Sequence, residues 1–406
     1  MTISGSDQTT SEHAALLRSR NAAATTFAFN GVVLGSLISR IPVIRDELGL
    51  TASQLGFLLL ATSAGSVLAL PSAGAIVARF GPARTVRSGA LVACTGIAVA
   101  GFGGGILENI AMVAVGLFAL GAGSGVWDVA MNVEGADVER RLGWTIMPRF
   151  HAAWSLGSVA GAGAGALAAR LAVPLEVQLL ATAGLVLVGV LVAVMFFIPV
   201  APSAQRRDRA NRRRALAAWR ELRTLLIGVM VLSAALVEGA ANDWLALALV
   251  DGYGTSHTVA AIGLAVFVTA MTVGRLMGTM LLDRYGRVVV LRTCIAIAIV
   301  GVAVFVAGYS TPHALVGAAC WGLGASLGFP VGMSAAADHE RFAAPRVSVV
   351  ASIGYLAFLA GPPLIGLLAD SLGILQALSV LIATLVLSLA VTGAARPLRP
   401  AAEIAD

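Results

Sequence analysis

The stretch Arg79-Phe80-Gly81-Pro82-Ala83-Arg84-Thr85-Val86-Arg87 has a counterpart about two hundred residues later, Arg284-Tyr285-Gly286-Arg287-Val288-Val289-Val290-Leu291-Arg292. In each copy an Arg, an aromatic residue and a Gly are followed by five residues and another Arg. Each copy also follows one long apolar stretch and precedes another. A duplicated, membrane-embedded chain is the reading that accounts for both features.

Working outward from these loops, the chain of 406 residues is 58% hydrophobic and 12% charged, more apolar surface than a water-soluble fold can bury. A helix needs about 20 apolar residues to cross the hydrocarbon. Twelve such spans are expected, at roughly 21–41, 54–78, 86–106, 109–133, 149–171, 175–199, 224–250, 258–282, 288–309, 313–336, 347–369 and 373–394. They are numbered 1 to 12 below.

All 27 basic residues are Arg. A pI near 10 raises nucleic acid as a partner, but the distribution of Arg argues against it. With the N-terminus placed inside, the inner segments hold 23 Arg and the outer loops only Arg40, Arg45 and Arg170, while Arg275 falls within span 8. That asymmetry predicts cytoplasmic N- and C-termini. Cys94, Cys294 and Cys320 lie inside spans without a CxxC or Cys/His pattern and read as packing thiols. The N-terminal segment lacks the short apolar core and cleavage site of a signal peptide.

The longest polar interruption, 201–221, carries Pro202 and the Arg-rich run 206–214. It predicts an N-terminal six-helix bundle over 1–200, a cytoplasmic linker, and a C-terminal six-helix bundle over 222–406. At an offset of 201, Gly121-x-Gly123 matches Gly322-x-Gly324, Asp137-x-Glu139-Arg140 matches Asp338-x-Glu340-Arg341, Trp154 matches Tyr355, and Gly165-x-Leu167-Ala168 matches Gly366-x-Leu368-Ala369. An even number of spans per half makes the repeats parallel, which suits rocking of one half against the other. Gly157, Gly161 and Gly165 form a smooth face on span 5 for close helix packing.

These features together resemble the major facilitator superfamily over essentially the whole chain. Its loop signature, Gly-x-x-x-Asp-Arg-x-Gly-Arg, is matched better by the second copy, Asp283-Arg284-Tyr285-Gly286-Arg287, with Gly278 one place early. The first copy keeps Gly74, Arg79 and Gly81 but has Ala78 and Pro82 in place of the Asp and the final Arg. The resemblance implies an all-α membrane protein of twelve transmembrane helices in two parallel six-helix repeats. It also implies a charge-and-helix-end latch involving Arg79, Gly81, Asp283, Arg284, Gly286 and Arg287. Leu117 stands about where drug:proton antiporters carry an Arg, and span 5 lacks their Gly-Pro motif. Asp128-Val129-Ala130-Met131-Asn132 resembles the acid-x-x-x-Asn element of fucose-permease-like sugar:proton symporters. Pro148-Arg149-Phe150-His151-Ala152-Ala153-Trp154-Ser155-Leu156-Gly157 and Glu238-Gly239-Ala240-Ala241-Asn242-Asp243-Trp244 resemble the uncharacterised YbjJ-type branch. Ile38 stands about where fucose permease has a second acid.

A charged side chain deep in a bilayer costs about 2.5–3.5 kcal/mol, so such residues mark pathways. In the family, spans 1, 4, 7 and 10 line the cavity. Asp128, expected roughly 8 Å above the inner end of span 4 at 1.5 Å per residue, Glu238 near the middle of span 7, and His151 on span 5 are the proton-coupling candidates. A structural hydrogen bond is the plain alternative for each. Asn30, Trp127, Asn132, Trp154, Asn242, Asp243 and Trp321 are the substrate-binding candidates, with aromatic planes and amides suited to a sugar-like ligand; packing is the plain alternative for the aromatics. Gly239 would help to break span 7 in its outer half. Arg275 reads as one member of an inner-gate ion pair or as a residue snorkelling to a headgroup.

No Walker motif, metal cluster or nucleophile constellation is present, so neither enzymatic activity nor a cofactor is expected. The resulting expectation is a secondary active transporter of the bacterial inner membrane, monomeric, moving a small polar solute by proton symport. The rivals are a proton-driven exporter of drugs or metabolites, which the missing antiporter motifs oppose, and a non-transporting membrane sensor, which the short tails oppose.

Overall fold

The computed structural model describes residues 4–50, 52–198, 216–255 and 257–398. Most of the expected linker therefore lies outside the described residues. Among the described residues, twelve helices are long and apolar enough to cross a membrane. Spans 1 to 6 are His13–Ile38, Phe57–Phe80, Pro82–Gly105, Ile110–Leu142, Met147–Arg170 and Leu175–Phe196. Spans 7 to 12 are Leu222–Gly252, Ile262–Tyr285, Arg287–Val306, Thr311–Ala336, Glu340–Leu372 and Ile374–Ala395. The chain divides into two compact units, Met1–Ala215 and Leu216–Asp406.

In unit 1, span 1 packs on spans 5 and 6, span 4 packs on spans 2 and 3, and span 3 also packs on span 6. In unit 2, span 7 packs on spans 11 and 12, span 10 packs on spans 8 and 9, and span 9 also packs on span 12. Adding six to each span number of the first set gives the second.

The repeated loop has a local cause. Gly81 (φ 79°, ψ 162°) and Gly286 (φ 76°, ψ 160°) each form the single-residue joint between two spans. Positive φ with extended ψ is essentially restricted to Gly, so the chain reverses there in one residue. The preceding Arg lies over its aromatic neighbour, Arg79 at 5.2 Å from the Phe80 ring and Arg284 at 5.4 Å from the Tyr285 ring.

Small residues let the spans approach closely. A Cβ at Gly121 would lie 1.8 Å from the Thr62 carbonyl oxygen on span 2, and its repeat mate Gly322 has the same relation to Phe267 on span 8, at 2.2 Å. The Gly face of span 5 meets span 1, with Gly157 placing a Cβ 2.0 Å from the Ala28 carbonyl oxygen. That contact is with backbone, which cannot yield as a flexible side chain would. Gly157→Val is therefore expected to destabilise unit 1 by at least the overpacking cost of about 1–3 kcal/mol. A detergent-solubilised variant should show a lower apparent melting temperature, and one matching the parent would refute the contact.

Three boundaries differ informatively from expectation. Span 4 runs to Leu142, nine residues beyond the end predicted from hydropathy. Its last turns are charged, but the charges are satisfied locally: Asp137 pairs with Arg140 and Arg141, and Glu134 and Glu139 accept bonds from neighbouring segments. Asp128 thus lies near the middle of span 4 rather than five residues from its end. Span 7 is not interrupted at Gly239; it stays α-helical to Leu247 and then forms a π-helical turn over Ala248–Gly252. Span 10 is interrupted between Ala325 and Gly328. Pro330 supplies no N–H to the carbonyl of Ser326 four residues earlier, and its ring crowds that carbonyl.

Candidate functional site

In unit 1 the helical spacing of Asp128 and Asn132 puts both on one face of span 4. The Asn132 amide nitrogen donates to the Asp128 carbonyl at 2.9 Å and to Asp128 Oδ1 at 3.1 Å. That orientation turns Asn132 Oδ1 towards His151 Nε2 on span 5, 3.3 Å away, and makes the His nitrogen the donor. Asp128, Asn132 and His151 are all buried. The imidazole edge-packs on Phe27 of span 1 at 5.1 Å, and Phe27 stacks on Phe150 at 5.5 Å. One turn further along, Trp154 Nε1 donates to Asn30 Oδ1 at 2.9 Å. The Asn30 amide nitrogen is buried and has no protein partner among the described residues, so it remains available as a donor. Spans 1, 4 and 5 thereby bring Asn30, Asp128, Asn132, His151 and Trp154 into one neighbourhood.

Unit 2 is organised around an ion pair. Arg275 Nη2 of span 8 lies 2.8 Å from Glu238 Oε2 of span 7, with the Arg side chain 2% and the Glu side chain 12% exposed. Arg275 Nε also donates to the Ser326 carbonyl at 3.3 Å, the acceptor that Pro330 leaves without its helical partner. The break in span 10 thus helps to place the guanidinium. Arg275 is an internal ion-pair partner; burial this deep is incompatible with snorkelling to a headgroup.

The other candidates separate. Asn242 and Asp243 are exposed on span 7, beyond Glu238. Trp321 is fully buried, edge-packed between Phe267 and Phe305, and donates to the Val237 carbonyl at 3.2 Å. It is a core residue that fixes the turn of span 7 carrying Glu238. Trp127 is also fully buried, and its backbone and Cβ lie against Gly89 of span 3. Both Trp side chains fill the cores of their units, since a large apolar ring gains most where it is fully enclosed.

At the loop ends, Arg287 Nη1 binds Asp338 Oδ1 at 2.6 Å and its Nη2 binds Ser334 Oγ at 2.8 Å. Arg223 Nη2 binds Asp338 Oδ2 at 2.7 Å, and the same guanidinium reaches the carbonyls of Ala335 and Arg396 at 3.1 Å each. Asp338 is the Asp of the second Asp-x-Glu-Arg copy. Its mate in the first copy, Asp137, is neutralised within its own helix, and Pro82 occupies the position of Arg287. Asp283 is exposed at the end of span 8. Sequence reading did not select Arg223, Glu134 or Glu139. Glu139 Oε2 accepts the N–H groups of Ile146 and Met147 at the start of span 5, at 2.8 and 2.7 Å. Ser19 Oγ donates to the buried Glu134 at 2.8 Å. An acid eight residues before a new span was the readable signal for Glu139; nothing local marked the other two.

Just before span 7, Glu221 accepts Arg346 Nε at 2.7 Å and the Thr224 hydroxyl at 2.6 Å, with a further bond from Arg346 Nη2. Partial burial would raise the Glu221 carboxyl, but the Arg346 and Thr224 hydrogen bonds outweigh it and hold the group below the usual carboxylate range. A depressed folded-state pKa stabilises fully above the unfolded value of about 4.3, and that stabilisation is lost as pH falls through the folded value. Arg346→Gln should lower stability at neutral pH, with the difference from the parent closing on acidification below pH of about 4. Melting curves of both proteins across that range test the assignment, and a pH-independent difference would contradict it.

Two repeated six-span units with buried charge at the centre of their helices define a multi-pass membrane protein of the transporter class. The family model described as Major Facilitator Superfamily matches residues 23–339 and 227–405. The chain is 32% identical to an uncharacterized transporter, y4wD, of Sinorhizobium fredii, over 86% of this chain and 90% of that protein. It is 30% identical to an uncharacterized MFS-type transporter of Yersinia pestis, over 85% and 87% respectively. The structure matches that of the E. coli fucose:proton symporter FucP with a TM-score of 0.78 at 15% identity, over 93% of this chain and 98% of that one, a likeness of fold. The chain belongs to the major facilitator superfamily, and it is a transporter rather than an enzyme.

Proposed function

We propose that this transporter moves a small polar solute, sugar-like or another metabolite, together with protons by alternating access. The reading rests on the two buried ionisable constellations, Asp128–Asn132–His151 in unit 1 and Glu238–Arg275 in unit 2. Charge at this depth is expensive and is retained where ions or substrates pass. Asp128, buried and bonded by the Asn132 amide, is the primary proton site, with His151 tuning it. Glu238 is neutralised by Arg275 or by a proton but not by both. Protonation therefore releases the guanidinium to a polar group of the solute.

Asn30 supplies a donor and Trp154 an aromatic face, a combination suited to a polyhydroxylated ring, and Asn132 completes the unit 1 contacts. Asn242 and Asp243, exposed on a span, contact the solute pathway, because an acid there cannot face lipid. The Arg287–Asp338–Arg223 cluster latches unit 2, with Asp283, Arg284 and Gly286 shaping its loop; Arg79 and Gly81 form a weaker counterpart in unit 1. Both termini and the linker 201–221 lie in the cytoplasm of a bacterium, with the monomer spanning the inner membrane as bundles 1–200 and 222–406. The test is solute uptake into vesicles with an imposed pH gradient. Accumulation that follows the gradient and collapses with a protonophore is expected, and accumulation indifferent to it overturns proton coupling.

A further inference from the structure

Arg40 stands apart from the transport machinery. It is one of three Arg on the Arg-poor loops, and its two companions are conventional. Arg45 is exposed and pairs with Asp46 at 3.2 Å, and Arg170 is exposed at the end of span 5. Arg40 is only 2% exposed, at the start of the short helix Ile41–Glu47. Its Nη2 donates to the Val173 carbonyl at 2.8 Å, two residues before span 6. Its Nε and Nη1 groups are buried and have no protein partner among the described residues. Asp46 pairs with Arg45, and Glu176, in the first turn of span 6, packs its carboxylate beside Gly105 at the end of span 3; neither forms an ion pair with Arg40 among the described residues.

A buried cation without a counter-charge is costly, and planar guanidinium N–H groups match oxyanions. The neighbouring N-terminal turn of span 6 is itself electropositive. Its first intrahelical bond runs from Gln178 N to the Pro174 carbonyl, so the N–H groups of Leu175, Glu176 and Val177 precede the hydrogen-bonded ladder. A desolvated Arg and a helix N-terminus converge, and both favour negative charge.

We propose that Arg40 and the first turn of span 6 form a binding site for one compact anion, a halide or the oxyanion of a carboxylate or phosphate. The same chemistry is offered by free anions and by the phosphodiester of an anionic lipid.

The test is the melting temperature of purified, delipidated protein at constant ionic strength. Chloride, acetate or phosphate replaces a bulky sulfonate in one arm, and phosphatidylglycerol is added at fixed salt in the other. A saturable upward shift is expected in the parent with at least one probe. It should be abolished in Arg40→Gln and weakened but retained in Arg40→Lys, which keeps charge without the planar fork. A shift from free anions assigns a soluble ligand, and one from the lipid alone assigns a headgroup. The proposal fails if the parent responds to no probe, or if the response is unsaturable and equal in the Gln variant. Should Arg40→Gln not fold, the parent titration alone still decides against the site if it is flat.

Discussion

Asp128→Asn is expected to abolish solute accumulation driven by a pH gradient while leaving the protein folded. With one proton carried per solute, each pH unit supports about tenfold accumulation, being worth about 1.4 kcal/mol. Asn keeps the size of Asp and can still bond Asn132, but it cannot exchange a proton. The variant should therefore bring solute only to equal concentrations on the two sides, and exchange of labelled for unlabelled solute should persist. Counterflow and gradient-driven uptake measured on the same vesicles separate the outcomes. Parental accumulation in the variant would remove Asp128 from the coupling reaction, and loss of both activities together with loss of fold would make it structural.

The second large effect belongs to Arg275. Its removal leaves Glu238 buried without its counter-charge and the Ser326 carbonyl without its donor. Breaking a buried pair from one side costs about 3–5 kcal/mol. Arg275→Met should therefore be severely destabilised, whereas Glu238→Gln combined with Arg275→Met should recover much of that loss, because no isolated charge remains. The recovered double variant should still be unable to couple solute to protons. A cycle of melting temperatures over the parent, both single variants and the double variant reads the coupling directly. Additive effects would mean that the two side chains do not act as a pair.

Much of the fold was legible because the bilayer simplifies the code: apolar length gave the twelve spans, and the repeated Arg-aromatic-Gly gave the duplication. The Gly of that motif was informative because Gly81 and Gly286 share one positive-φ conformation that other residues disfavour. Where charges find partners nearby, hydropathy misleads. A linear window ends span 4 at 133 because the satisfaction of Asp137, Glu139 and Glu134 is invisible to it. Asp128 and Asn132 were readable together because four residues make one helical turn. Glu238 and Arg275 were each suspicious, but their pairing joins positions 37 apart on different spans, and no local rule links them. Trp127 and Trp321 show the converse: an aromatic ring at plausible depth says nothing about which side of its helix faces the core.

The asymmetry of the repeats has a physical cause. Unit 2 clasps Asp338 between Arg223 and Arg287, while unit 1 has Pro82 in place of Arg287 and neutralises Asp137 with adjacent Arg residues. The loop keeps one geometry in both units, and in unit 2 Arg287 also joins a charge clamp between spans.

The central claim is that solute and protons cross together through Asp128 and Glu238. It is tested most directly by following both species in one liposome preparation, using a solute first identified by a thermal-shift screen of sugars, amino acids and organic acids. An inward solute gradient should draw protons in and alkalinise the external medium, in a fixed ratio to solute, and the signal should vanish in Asp128→Asn. Solute entry without proton movement, or undiminished proton movement in the variant, would contradict it.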